Sequence, residues 1–120
     1  DSLVTTSSDE PFCVEKYFTF GVSEYIPDKP SYTKLNEIST YLKSNSFKIN
    51  DLVIIGHTDT DSTDSYNYSL SIKRAGYIKK ELKMLGVDQN IKIIGKGESE
   101  PIIIGGIEDK QASRRVELCY

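Results

Sequence analysis

Four consecutive apolar, β-favouring residues, Leu52-Val-Ile-Ile55, are fenced by Asn50-Asp51 on one side and Gly56 on the other. So short and so apolar a run reads as a strand buried on both faces or lying in the middle of a sheet. The segments around it change period in a definite order. Phe12 to Phe20 nearly alternates, with Phe12, Val14, Phe18 and Phe20 on one face and Cys13, Glu15, Tyr17 and Thr19 on the other, which predicts a first strand. Pro27 and Pro30 punctuate a loop. From Ser31 to Lys43 the spacing is helical, with Tyr32, Leu35, Ile38 and Leu42 on a stripe and Ser31 as the expected N-cap. A polar loop from Gly56 to Ser65 leads into a second helix of about twenty residues, striped by Ser71, Ala75, Ile78, Leu82 and Leu85 and closed by Gly86. Ile91–Ile94 is the third strand, 95–106 a Gly-rich loop, and 115–120 a fourth strand with Val116, Leu118 and Tyr120 on its apolar face.

The order β-α-β-α-β-β implies right-handed crossovers that place both helices on one side of the sheet. The expected fold class is therefore α+β: a two-layer α/β sandwich with a mixed four-stranded sheet. Residues 1–11, rich in Ser, Thr and Asp, read as a flexible N-terminal linker to a single domain over 12–120. The chain has no initial Met and no apolar run near the roughly 18 residues that span a bilayer. Any membrane attachment is thus expected to lie in a segment outside it. A net charge of −3 argues against nucleic acid, which calls for a concentrated basic face.

The two cysteines, Cys13 and Cys119, leave a disulfide and a pair of buried thiols both open on composition. Strand geometry favours the bridge. Each cysteine lies opposite the apolar face of its strand, and antiparallel pairing of the first and last strands would bring the start of one to the end of the other. Closing about a hundred residues would stabilise by several kcal/mol in the chain-entropy model.

Most of the chemistry sits in one tract, Gly56-His-Thr-Asp-Thr-Asp-Ser-Thr-Asp-Ser-Tyr-Asn-Tyr-Ser-Leu-Ser-Ile-Lys-Arg-Ala75. Asp59 follows the carboxyl end of a buried strand, where ligand crevices open in such sheets. Asn67 and Arg74 are nearly two helical turns apart and share a face, roughly 10 Å along the axis. An anion, an amide and a guanidinium around one cleft suit a zwitterion. A structural Asp59–Arg74 ion pair, or a carboxylate serving the helix dipole, is the plainer alternative. Asp59, Asp61 and Asp64 resemble a calcium loop only superficially, since Thr63, Asp64 and Leu70 occupy positions that need a ligand, Gly and Glu. His57 lacks a nucleophile elbow and is better read as a structural residue holding the loop, so no catalytic residue, cofactor or metal is expected.

In order and spacing, Gly56-His57-Thr58-Asp59, Tyr66-Asn67, Leu70-Ser71, Arg74-Ala75, Gly86-Val87, Gly97-Glu98 with Pro101, and Arg114-Arg115-Val116 resemble the C-terminal domain family of OmpA, the Pal lipoprotein and MotB. The resemblance covers Tyr17 to Tyr120. It implies a non-catalytic, periplasmic domain that binds peptidoglycan through the diaminopimelate of the stem peptide and anchors a larger envelope protein to the wall. By position, Asp59 would take the ammonium group and Arg74 the carboxylate. Thr58 and Asn67 would add hydrogen bonds, and Arg115 would flank the pocket. The resemblance also sets the first and last strands side by side and antiparallel, in support of a Cys13–Cys119 bridge. Three positions depart from it. Phe18-Thr-Phe-Gly21 lacks the two acids usual in the first strand, leaving Glu24 or Tyr25 to replace them. Ser62 stands where Gly is usual, and Ser113 where Asn precedes the paired arginines. With the first-strand acids missing, the alternative is a structural or protein-interaction module of a secretion or motor complex, with envelope proteins as partners and a degenerate pocket.

Overall fold

In the computed structural model the described residues are Cys13 and 18–120. The expected linker 1–11, and residues 12 and 14–17 of the expected first strand, lie outside them. The four-stranded sheet has the order β1 (Phe18–Thr19), β6 (Arg115–Cys119), β2 (Asp51–Gly56), β3 (Asn90–Gly95). β2 and β3 are parallel, while β6 runs antiparallel to both neighbours, so the sheet is mixed. The Leu52–Ile55 run is indeed interior, though not buried equally on its two faces. Leu52 and Ile54 are buried, whereas Val53 and Ile55 on the other face are half-buried.

That asymmetry follows from the helices. α2 (Lys34–Ser44) and α3 (Asp64–Met84) both cover the Leu52/Ile54 face. Leu35, Ile38 and Leu42 from α2, and Ala75, Ile78 and Leu82 from α3, close on Phe18, Phe20, Leu52, Ile54, Val116 and Leu118 in one core. Each such side chain removed from water contributes about 1.5–3 kcal/mol, which fixes the register of every strand against a one-residue slip. The α3 helix starts at a Thr63 cap, whose hydroxyl accepts from the Tyr66 N–H at 3.2 Å. It closes at Gly86 as expected, with Gly86 N–H bonded to the Lys83 carbonyl and Val87 N–H to that of Leu82.

The structure corrects the start of the first helical region. A separate turn, α1 (Lys29–Tyr32), precedes α2, with Pro30 in its first turn and Asp28, not Ser31, as its N-cap. The Ser31 hydroxyl instead accepts from the Thr19 N–H at 2.9 Å and so ties the turn to β1. Tyr32 is 43% exposed and stands outside the core stripe. The expected loop 95–106 also contains structure, because β4 (Ile103–Ile104) and β5 (Ile107–Glu108) form a hairpin. Gly105 and Gly106 both adopt positive φ, 62° and 81°, as a two-residue hairpin turn requires. A short α4 (Lys110–Ser113), capped by Asp109, then leads into β6.

Cys13 and Cys119 are joined in a disulfide. Cys13 bridges antiparallel to Cys119, which on its other side pairs with Val53. The last strand is therefore interior, not an edge. The bond fastens the entering chain directly to the sheet's centre.

Candidate functional site

Position of the site begins with Gly56. A Cβ there would stand 2.0 Å from the Ser71 carbonyl oxygen, so only glycine lets α3 lie this close to the end of β2. The Ser71 hydroxyl takes the Gly97 N–H at 3.0 Å and donates to the Tyr68 carbonyl, which holds the same helical turn against the loop after β3. With its middle clamped, α3 presents Asn67, Leu70 and Arg74, all buried, toward the loop that follows β2.

There they meet Thr58 and Asp59 around a narrow cleft, together with Val22, Ser23, Ser62, Tyr66 and Arg114. Four of the five expected ligand residues, Thr58, Asp59, Asn67 and Arg74, are thus brought together. The cleft volume is about 40 Å³, close to the share of one water molecule.

Arg74 is fully buried and spends its donors on the backbone. Nε donates to the Glu24 carbonyl at 2.7 Å, Nη1 to His57 at 2.9 Å and Nη2 to Gly21 at 3.0 Å. Its guanidinium also stacks over Phe20, 4.9 Å from the ring centroid. Burial lowers its pKa to about 10, with Asp59 opposing the shift and the neighbouring charge of Arg114 adding to it. Asp59 does not pair directly with Arg74. Its Oδ2 accepts from Arg114 Nη1 at 2.8 Å and its Oδ1 from the Asp61 N–H at 3.1 Å. Arg114 therefore takes the Asp59 carboxylate, and Arg74 beside it has no carboxylate in direct contact. The other acid of the cleft, Asp61, is matched by Lys110 at 2.6 Å on the exposed rim.

Thr58 and Asn67 shape the loop. The Thr58 hydroxyl donates to the Asp59 carbonyl at 2.8 Å, and its N–H donates to Gly97. Asn67 Nδ2 lies 2.7 Å from Glu98 Oε1 and 3.3 Å from the carbonyls of Asp59 and Ser62.

Arg115 is a correction: the structure does not place it at the cleft. It is buried on the sheet's opposite face, donating to Glu117 at 2.9 Å and to the carbonyls of Ser113 and Glu100. Arg114 takes the cleft position and also donates from Nε to the Phe20 carbonyl. Strand parity in the sequence could have shown this, because Arg114 shares the face of Val116 and Leu118 whereas Arg115 shares that of Glu117 and Cys119. His57, expected to hold the loop, is fully buried with its ring Nε2 3.3 Å from Glu117 Oε1. Contact with that ring, and then with Arg115, outweighs burial and holds the Glu117 carboxyl down at about 2.

The departures from the family pattern have local explanations. Of the two candidates to replace the missing acids, Glu24 gives its carbonyl to Arg74 and adds its negative charge nearby, whereas Tyr25 packs edge-on against Tyr77. Val22 and Ser23 line the cleft in their place, with Ser23 held at φ 62°. Ser62 does not adopt positive φ, so the loop runs without a glycine there. Ser113 is buried, and its hydroxyl links the Ile102 N–H to the Asp109 carbonyl.

Fold and cleft together define an α+β sandwich domain with a charged recess at the carboxyl ends of its parallel strands. The OmpA family profile matches residues 17–115, and the chain belongs to that family. It is 33% identical over 100 residues to a peptidoglycan-associated lipoprotein of Legionella pneumophila, covering 82% of this chain and 52% of the relative. To outer membrane protein A of Bordetella avium it is 29% identical over 109 residues, covering 89% and 54%. The chain thus spans about half the length of these relatives. Among solved structures, the peptidoglycan-associated lipoprotein of Burkholderia pseudomallei superposes with a TM-score of 0.75 at 29% identity, covering 87% of this chain and 88% of that one. The C-terminal domain of Helicobacter pylori MotB shares the fold, with a TM-score of 0.71 at 20% identity, covering 91% and 81%.

Proposed function

We propose that this domain is a non-catalytic wall anchor, binding peptidoglycan through the diaminopimelate of the stem peptide. It would act on the periplasmic side, tethered to a membrane by a segment beyond this chain. The carrying observation is the charge imbalance of the cleft: Asp59 pairs with Arg114 and Asp61 with Lys110, which leaves buried Arg74 without a carboxylate in contact. A ligand carboxylate completes that set. The amino group at the same carbon of diaminopimelate then falls to Asp59, whose two oxygens retain acceptor capacity beyond their single contacts. Membership of the OmpA family and the likeness to peptidoglycan-associated lipoproteins support this assignment.

Co-sedimentation with purified sacculi tests it. Wild type pellets with the wall, and Asp59→Ala and Arg74→Ala remain in the supernatant while circular dichroism shows a retained fold. Pelleting of both variants at the wild-type level rejects the site. A second possibility is a protein-interaction module within an envelope complex, and the small cleft volume favours it. Absence of wild-type pelleting, with a specific envelope protein captured instead, would select it.

A further inference from the structure

Beside the cleft, across a ridge made by the Asn67–Glu98 hydrogen bond, lies a wider groove of about 420 Å³. Asp64 and Tyr68 at the start of α3 form one wall, and the turn Lys96-Gly97-Glu98-Ser99 forms the other. We propose that this groove is a saccharide subsite, which seats a neutral pyranose of the wall's glycan strand while the cleft holds the peptide; this rests on the wall-binding reading above.

Three features fit a sugar better than another ligand. Tyr68 is 55% exposed, and Gly97 packs against the helix backbone at Tyr68 without a side chain to cover it, so the tyrosine is the one aromatic of the groove. An aromatic face of this kind takes the axial C–H groups of a pyranose ring. The titratable groups around it are Asp64, Glu98 and Lys96, and Lys96 is held by Glu100 at 3.0 Å. The balance is acidic, which repels carboxylate and phosphate ligands but accepts hydrogen bonds from hydroxyl and N-acetyl N–H donors. A glycan whose lactyl carboxyl is consumed in the amide to the stem peptide carries no charge there. The volume lies in the ordinary range for a small-molecule site.

The spacing agrees. Asn67 and Tyr68 are successive residues of α3, about 1.5 Å apart along the axis and about 100° apart around it, so the two recesses flank one ridge. Two residues of extended peptide reach roughly 7 Å, enough to cross that ridge from a side chain in the cleft to a sugar in the groove.

The probe is chitotetraose, a neutral N-acetylglucosamine tetramer, titrated into the ¹⁵N-labelled protein. Amide shifts are expected at Tyr68 and from Lys96 to Ser99, with Thr58 and Asp59 unmoved, and Tyr68→Ala should abolish them. The same variant, altered at an exposed helix position, should weaken sacculus binding by about fivefold, the scale of one aromatic contact. Absence of shifts at these amides, or shifts that survive Tyr68→Ala, overturns the subsite. A diaminopimelate tripeptide titrated in parallel reports on the cleft separately. Movement of Thr58 and Asp59 by the tripeptide, with no response to the tetramer, leaves the wall anchor standing and removes the sugar groove alone.

Discussion

Two charged clusters sit at the same end of the sheet, one on each face, and neighbouring residues feed both. Asp59, Arg74 and Arg114 lie on the helix side, whereas His57, Arg115 and Glu117 lie on the other. The second cluster is matched in charge by its own residues, Arg115 against Glu117, although neither ring nitrogen of the buried His57 has a hydrogen-bond partner. Glu117 takes contacts from Arg115 and His57, and the remaining Arg115 donors end on backbone carbonyls. The first is open, because Arg114 takes the Asp59 carboxylate while Arg74, its pKa depressed by burial, rests on backbone carbonyls alone. A buried cluster whose charges are matched within it serves the fold, and one that lacks a counter-charge is suited to a ligand that supplies it. On the proposed function, the contrast separates a structural role from a recognition role for two arginines, Arg115 and Arg114, that are adjacent in the chain.

Breaking the open cluster should have the largest effect. Arg74→Met strands the carbonyls of Gly21, Glu24 and His57, and urea unfolding should show a loss of about 3–5 kcal/mol, with sacculus binding abolished. Asp59→Asn keeps the shape but leaves two cations without an anion. Its affinity for sacculi should fall by about 100-fold or more, measured by sedimentation at constant salt. Glu117→Gln attacks the other cluster, so stability should fall by about 1–2 kcal/mol once solvent screening of the half-buried carboxylate is allowed for, while wall binding stays at the wild-type level. Its pH signature follows from a folded pKa of about 2 against an ordinary 4.5. The stabilisation is fully present above about pH 4.5 and is lost as the pH falls toward 2, so the wild-type advantage over Glu117→Gln should vanish in that window. Ser62→Gly should do least. The position does not need positive φ, so added backbone freedom costs about 0.5 kcal/mol in thermal denaturation and leaves binding unchanged.

Periodicity carried most of the fold. The stripe Ala75, Ile78, Leu82 and the run Leu52–Ile55 encode the α3–β2 contact directly, because burial of that face leaves one register. The bridge between Cys13 and Cys119 followed from their shared parity. Short elements were hidden for physical reasons. In α1, Pro30 reads as a loop signal although a first helical turn tolerates it, and the Gly105-Gly106 hairpin has strands of two residues, too short to show alternation. At the site, residue types and helical spacing predicted that Asn67 and Arg74 share one helix face, and both line the cleft. The exchange of Arg114 for Arg115 was legible too, since Arg114 shares the parity of Val116 and Leu118 on the face that meets the helices. Sequence alone could not show that Arg74 is braced by three carbonyls, since those come from a loop fifty residues away and from His57.

The central claim is that the surplus guanidinium charge of the cleft awaits a carboxylate. Calorimetry with two tripeptides identical except at the third residue, diaminopimelate in one and lysine in the other, isolates that group. The diaminopimelate peptide should bind at least about tenfold more tightly, and Asp59→Asn should erase the difference. Equal affinity for the two peptides would contradict the account.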